Sequence, residues 1–177
     1  MHFMKIALMA CGGVLALAGL TAQAGPTSVL EVKIELRVMD FIAKPADRSA
    51  VAVVYDRDLR GTAEEAGAIL QALEESQELA RSKISPRLVE VHALSSAKGL
   101  KAVILPASLS MADEPVMQYG IANQTLVLSS GAGCLRSHRC MVAVSTSPDV
   151  EIGVDSLAIR AGNIQFADGF QLMVKEY

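Results

Sequence analysis

The chain has 177 residues, with 16 basic and 19 acidic side chains and a formal net charge of −3. A mildly acidic chain without a basic run does not have the charge pattern of a nucleic-acid-binding protein. It has no tryptophan and only 4% aromatic residues, which argues against a sugar or nucleobase site built on ring stacking.

The first 24 residues have the pattern of a secretory signal peptide. Lys5 precedes an apolar run from Ile6 to Leu20, and the A-x-A motif at Ala22-Gln23-Ala24 follows it. The run has about 15 residues, fewer than the roughly 20 of a membrane-spanning helix. A lipoprotein signal at Cys11 is the rival interpretation, but the apolar stretch before that cysteine is too short. We expect cleavage after Ala24 and export to the periplasm.

Removal of residues 1–24 leaves 153 residues, with 15 basic and 19 acidic side chains. This is a usual size for one domain, and it is long enough to bury a core without help from disulfides. We therefore expect a single domain over residues 25–177.

The segment from Val29 to Ile42 fits both periodicities, because its apolar residues match a helical stripe and also alternate as in a strand. We favour a helix that is ended by Lys44-Pro45. Ala50–Tyr55 is a nearly continuous apolar run, typical of a strand buried on both faces. Thr62 and Glu65 then form a capping-box pattern, which predicts a helix from Thr62 to about Arg81.

Pro86 is interpreted as a breaker before an alternating strand, Leu88–Leu94. The remaining expected elements are a buried strand at Leu100–Leu105, a helix within 107–121 with Gly120 near its end, a strand at 126–128, a strand at Met141–Val144, a strand at Val150–Val154 that pairs with the previous one, a helix from Asp155 or Ser156 to Ala161 ended by Gly162, and a terminal helix over Gly169–Lys175 capped by Asp168.

Strands that alternate with helices predict an α/β fold. We expect a single three-layer domain, with a mostly parallel sheet, helices on both faces and an antiparallel edge.

Cys134 and Cys140 are the two cysteines that remain after the expected cleavage. An even pair in an oxidising compartment predicts a disulfide. The closed loop is small, so the expected stabilisation is about 2–3 kcal/mol in the chain-entropy model.

Three other interpretations of this loop lack part of what they need. The glycine-rich run Ser129–Gly133 follows a strand, but Arg136 stands where a dinucleotide motif has its third glycine, and no helix obviously follows. Cys134, His138 and Cys140 could ligate a metal, but no second cluster supplies a fourth ligand. Catalytic thiol chemistry usually needs a closer pair. A tight turn into a disulfide loop is the simpler explanation.

Arg136, His138 and Arg139 form a local positive patch that could receive an acidic partner surface or a carboxylate. A solvated loop is the alternative.

Two further groups have simple structural explanations. His92 beside Glu90, without a third partner, is expected to be an outward-facing polar residue. The acids Asp56, Asp58, Glu64 and Glu65 lie where a sheet of this kind binds ligands, but a helix N-terminus favours acids in any case.

The chain resembles the YfiR-like family of periplasmic proteins. The matching features are Asp40–Pro45, the strand A-V-A-V-V-Y before a long helix, the path from Leu100–Leu105 to T-L-V-L-S-S-G, and the closing stretch Val150–Met173. The chain departs from the family around Cys134–Cys140, where Gly-Phe and Gly-Gly are common, and at Gly153, where Asn is frequent.

The resemblance implies a homodimeric, non-enzymatic regulator that binds the periplasmic part of an inner-membrane signalling protein, such as a diguanylate cyclase of cyclic-di-GMP signalling. We expect no catalytic residue, metal or cofactor, and Arg136, His138 and Arg139 as the partner-binding residues. The alternative is a periplasmic lobe that binds a small solute, related to transport binding proteins; such proteins usually enclose their ligand between two domains.

Overall fold

The computed structural model describes residues 27–43, 48–81, 84–109 and 114–177. Within these ranges the strands are β1 Ala50–Tyr55, β2 Ser85–Glu90, β3 Leu100–Leu105, β4 Leu126–Ser130, β5 Val142–Ser145, β6 Glu151–Val154 and β7 Lys175–Glu176. They form one sheet in the order β2-β1-β3-β4-β5-β6-β7. The expected signal peptide and the expected helix stop at Lys44-Pro45 lie outside the described residues.

The helices are α1 Val29–Asp40, α2 Thr62–Glu74, α3 Gln77–Arg81, α4 Glu114–Asn123, α5 Gly133–Arg136 and α6 Ser156–Ala161. Two 3-10 helices, Val91–Ser96 and Phe170–Leu172, complete the described elements. The chain moves to one side of β1 to form β2 and to the other side to form β3 and β4. Because parallel crossovers are right-handed, α2 and α4 lie on opposite faces of the sheet.

Strands β1 to β5 are parallel to their neighbours, and β6 pairs antiparallel with β5 in the register Val142↔Val154. The short strand β7 then runs parallel to β6. The turn from β5 to β6 contains a cis Ser147-Pro148 bond. The α/β class, the mostly parallel sheet and the antiparallel pair predicted from the sequence are therefore confirmed.

The core lies on both faces of the central strands. Val51, Val53 and Val54 of β1 are fully buried, as expected for a strand covered by helices on both sides. The first segment is a helix, as we favoured, and Val32, Leu36 and Met39 form its buried stripe. Ser28 and Glu31 form a capping box at its start, which the sequence analysis did not identify.

The helix predicted from Thr62 to Arg81 is interrupted. It ends at Glu74, where the backbone amides of Glu75 and Ser76 bond to the carbonyls of Gln71 and Leu73, and a second helix begins at Gln77. The shift from a four-residue to a three-residue hydrogen-bond spacing tightens the last turn and ends the helix.

The predicted strand Leu88–Leu94 is wrong in both bounds. The strand runs from Ser85 to Glu90 and contains Pro86, which is tolerated because β2 is the edge of the sheet and its missing amide removes no ladder bond. Val91 and Leu94 belong to a 3-10 helix, where residues three apart share a face, so both are buried without strand alternation.

The C-terminal prediction is also wrong. Gly169 adopts a φ of +91°, and only Phe170–Leu172 is helical, in a single 3-10 turn. The chain then extends as β7 because it can pair with the free edge of β6. Gly162 ends α6 as predicted, but in a right-handed conformation with a φ of −79°. An added Cβ there would lie 2.9 Å from Cε of Met141, so this side chain would have to shift to admit a larger residue.

Helix α4 spans Glu114–Asn123 and ends two residues beyond the predicted range, so Gly120 lies inside it. A Cβ at Gly120 would lie 2.4 Å from Cγ2 of Val127 and 3.0 Å from the carbonyl oxygen of Thr125. The glycine lets the helix approach β4 closely.

Substitution Gly120→Ala should therefore lower the free energy of unfolding by about 1–3 kcal/mol through overpacking. Gly67→Ala is the matched control, since Gly67 is also helical and a Cβ there meets nothing within 4 Å. That change should raise stability by about 0.5–1 kcal/mol. Urea denaturation measures both; equal effects of the two variants would contradict the packing argument.

Candidate functional site

The chain continues from β1 toward one edge of the sheet and from β3 toward the other, so the strand order reverses between these two neighbouring strands. In doubly wound sheets, ligands bind at such a reversal, beyond the carboxyl ends of the strands. Here the crevice is bounded by the loop after β1, the residues that follow β3 and the N-terminus of α2. The side chain of Thr62 holds the loop after β1. Its hydroxyl donates a hydrogen bond to the carbonyl oxygen of Asp56 at 2.5 Å and accepts one from the amide of Asp56 at 3.1 Å. Thr62 is thus the first residue of α2 and not its N-cap, which is Gly61.

The side chain of Glu65 fills this crevice. Its Oε1 accepts hydrogen bonds from the amide of Thr27 at 3.2 Å, the hydroxyl of Thr27 at 2.9 Å and the amide of Ala107 at 2.9 Å. Its Oε2 accepts from the amide of Ser108 at 3.1 Å. Glu65 therefore does not close a capping box; it joins the start of α1, the start of α2 and the end of β3.

These hydrogen bonds decide the charge of Glu65. Burial opposes ionisation, but the bonds from Ser108 and Thr27 outweigh it, and the pKa of the carboxyl lies below its usual value of 4.5. Three backbone amides and a hydroxyl directed at one carboxylate also make a good anion-binding arrangement. In this protein the chain's own carboxylate uses these donors.

The loop between β4 and β5 is closed by the predicted cysteine pair. The sulfurs of Cys134 and Cys140 lie 1.94 Å apart, at bonding distance, and both residues are fully buried. The one-turn helix α5 lies inside the loop, although the sequence showed no obvious helix there. Because the two sulfurs bond to each other, they do not form a metal site with His138.

The proposed partner-binding residues lie on the outside of this loop. Arg136 and His138 are exposed, and Arg139 is half-buried. His138 has a φ of +54° and its Nδ1 lies 2.8 Å from Oδ2 of Asp155. The other oxygen of Asp155 caps α6 by accepting the amides of Leu157 and Ala158. The imidazole is thus held on the side of the loop that faces α6.

Behind the loop lies Glu35 of α1, an acid on the buried side of the helix. It is fully buried, Ser130 donates to its Oε1 at 3.4 Å, and within the described part of the chain its Oε2 has no hydrogen-bond partner. Burial raises the pKa of Glu35 to about 8, a hydrogen bond from Ser130 counteracts this, and the charge of Glu31 adds to it. The carboxyl is therefore protonated at neutral pH.

The remaining acids near β1 divide into separate groups. Glu64 and Asp58 are exposed, and His92 is exposed as expected. Asp56 lies near Glu90 and His92, so His92 does have the third neighbour that the sequence did not indicate. Sequence spacing could not show this proximity, because it depends on the pairing of β1 with β2.

No protein-family model matches the chain, and no curated protein sequence matches it significantly. Solved structures do match. The ABC domain in complex with L-Trp from Streptococcus pneumoniae has a TM-score of 0.60 at 6% identity, covering 82% of this chain and 60% of that one. A conserved domain protein from Vibrio cholerae has a TM-score of 0.60 at 10% identity, covering 82% and 59%.

A third match is the ligand-free, open structure of a substrate-binding protein with adhesive properties from Clostridium difficile. Its TM-score is 0.57 at 11% identity, and it covers 83% of this chain and 59% of that one. This chain therefore spans about three-fifths of each of these proteins. At such low identity the likeness establishes a shared α/β fold.

Substitution Glu65→Gln should destabilise the fold by about 1–3 kcal/mol at neutral pH, because an amide nitrogen would face hydrogen-bond donors. The lowered pKa makes the contribution of Glu65 fully present above its unfolded pKa of 4.5 and lost as pH falls through the folded value. The variant should therefore lose less stability than the wild type on acidification. Denaturant titrations from pH 3 to pH 7 measure this, with exposed Glu64→Gln as control. If the stability of Glu65→Gln and Glu64→Gln changed equally with pH, the proposed role of the Glu65 carboxylate would be refuted.

Substitution Glu35→Gln should have the opposite pH dependence. Because the folded pKa is raised from 4.5 to about 8, the wild type is most stable below pH 4.5 and loses stability as pH rises to about 8. The loss should amount to as much as about 5 kcal/mol, and the Gln variant should lack it. Exposed Glu74→Gln is the control. A wild type whose melting temperature matches that of Glu35→Gln at pH 5 and at pH 8 would disprove a buried, protonated Glu35.

Proposed function

We propose that this chain is a periplasmic, non-enzymatic binding protein that regulates a membrane signalling protein, as its resemblance to the YfiR-like family implies. The partner would be the periplasmic part of an inner-membrane protein such as a diguanylate cyclase, and the regulator would act as a homodimer. Its recognition surface would be the disulfide loop.

The observation that carries this proposal is the position of Glu65. A domain of this fold binds small ligands in the crevice that Glu65 fills. The amides of Ala107 and Ser108 and the hydroxyl of Thr27 already bond to its carboxylate. With these donors occupied from within, recognition through an outer surface is favoured over capture of a solute.

The disulfide loop has the properties of such a surface. Its buried sulfurs and the contact of His138 with Asp155 limit its freedom, so little entropy is lost when a partner binds. Arg136 and His138 face solvent, on a chain with an excess of acidic residues. A local cationic surface of this kind complements an acidic partner surface.

The disulfide is compatible with an extracellular or periplasmic location, because such bonds persist in oxidising compartments. Among the described helices, none combines the length and apolar character that crossing a bilayer requires.

A small-solute-binding lobe is the second candidate. The fold is shared with a domain in complex with L-Trp and with a substrate-binding protein. The donors around Glu65 are suited to a carboxylate, and a solute carboxylate could replace the side chain if Glu65 turned away.

The regulatory proposal predicts that deletion of the gene raises cellular cyclic-di-GMP, and that the purified chain binds the periplasmic part of a cyclase from the same cell. Substitutions Arg136→Glu and Arg139→Glu together should weaken binding by about tenfold or more, because they reverse the charge of the loop. Arg60→Glu and Arg87→Glu together, at two exposed positions outside the disulfide loop, are the charge-matched control. Unchanged cyclic-di-GMP together with no measurable cyclase binding would reject the proposal.

A thermal-shift series with L-amino acids and small carboxylates distinguishes the second candidate. A specific solute at about 100 times its Kd should raise the melting temperature by about 5 °C or more. If the chain is a regulator that binds no solute, its melting temperature should not rise. If a solute binds in the crevice, the rise should be the same in the Arg136→Glu variant, because Arg136 lies in the disulfide loop.

A further inference from the structure

We infer that Asp56, Glu90 and His92 form a binding site for a divalent transition-metal ion, of which Zn²⁺ is the best representative. The site lies at the carboxyl ends of β1 and β2, on the edge of the sheet far from the disulfide loop. It is independent of the proposed function.

Strand pairing brings the three side chains together. Tyr55, the last residue of β1, pairs with Glu90, the last residue of β2, so Asp56 emerges beside Glu90. His92 follows two residues later, in the first turn of the 3-10 helix. One ligand atom from each of the three residues lies within 4.8 Å of the other two.

The carboxylate of Glu90 gives the independent evidence for a ligand. Its side chain is 10% exposed, and its Oε1 is buried with no hydrogen-bond partner among the residues that the structure describes. A buried carboxylate oxygen without a partner is costly, since it has lost water and gained nothing in return. This oxygen lies 4.0 Å from Nε2 of His92, which is too far for a hydrogen bond and leaves room for a cation between the two atoms.

Backbone amides orient both carboxylates. Oδ1 of Asp56 accepts the amide of Asp58 at 2.8 Å, and Oε2 of Glu90 accepts the amide of His92 at 3.0 Å. Such second contacts fix the orientation of the ligating groups in metal sites. The imidazole of His92 is 73% exposed, so its ring can turn toward an incoming ion.

The donor set selects the class of ion. Two carboxylates and one imidazole suit Zn²⁺ and its transition-metal neighbours, whereas Ca²⁺ and Mg²⁺ prefer oxygen ligands alone. Three protein ligands leave a coordination position for water or for a group from another molecule. A protonated His92 that pairs with Glu90 is the alternative explanation of this cluster, and it requires no metal.

Equilibrium dialysis of the untagged, EDTA-treated protein against ZnCl₂ tests the site. The wild type should bind one equivalent of Zn²⁺, and Glu90→Gln and His92→Ala should each weaken binding by about tenfold or more. His138→Ala, which removes the imidazole of the disulfide loop, should bind as the wild type does. A tenfold excess of CaCl₂ should not displace the ion.

Two readouts separate loss of the site from loss of the fold. Zn²⁺ should raise the melting temperature of the wild type but not that of Glu90→Gln or His92→Ala, provided that all three give the same circular dichroism spectrum. Co²⁺ should give a visible absorption band in the wild type that both variants lack. Absence of bound Zn²⁺, binding that survives both substitutions, loss of binding in His138→Ala, or displacement by Ca²⁺ would each overturn the assignment.

Discussion

The carboxylate of Glu65 joins segments that are far apart in the sequence. Thr27 precedes α1, Glu65 lies in the first turn of α2, and Ala107 and Ser108 follow β3. The bonds hold the first helix over the carboxyl end of the central strands, where the core packing of Val32 and Leu36 needs it. The same bonds use the donors that a ligand of this fold would need. One interaction therefore both stabilises the architecture and shapes its possible function.

At the β6–β7 edge of the sheet, close contacts join the disulfide loop to its neighbours. Leu135 of α5 and Tyr177 of the C-terminus pack over Gly153 so closely that a Cβ there would lie 2.5 Å from Cδ1 of Leu135 and 2.8 Å from the ring of Tyr177. A side chain at position 153 would therefore have to displace Leu135 or Tyr177. The loop, β6 and the C-terminus thus form one packed unit, and a change in the loop must be accommodated by its neighbours.

Three acids that are at least partly buried in this protein have different surroundings. Glu65 is ionised and satisfied by hydrogen bonds, whereas Glu35 has an unpartnered oxygen and a pKa raised to about 8, which keeps it neutral. Glu90 has one satisfied and one unpartnered oxygen, and its neighbours are a carboxylate and an imidazole. A proton removes the charge of Glu35, whereas a metal ion would pair with the carboxylate of Glu90. The three acids differ because different hydrogen-bond donors and charged groups surround each carboxylate.

The sequence alone determined the features that depend on local pattern. The class of fold was predicted from the apolar runs of β1, β3 and β4 and from the alternation of strands with helices, and the closed loop was predicted from the cysteine pair. These features can be recognised from sequence because they depend on residues that are close together in the chain. Tertiary structure decided the rest. The sequence pattern of Thr62 and Glu65 indicated a capping box, but Glu65 bonds instead to donors 38 and 42 residues away. Asp56 and His92 meet only because β1 and β2 pair. The end of the chain is a strand only because β6 has a free edge. Each of these outcomes depends on partners distant in sequence, which no local pattern specifies.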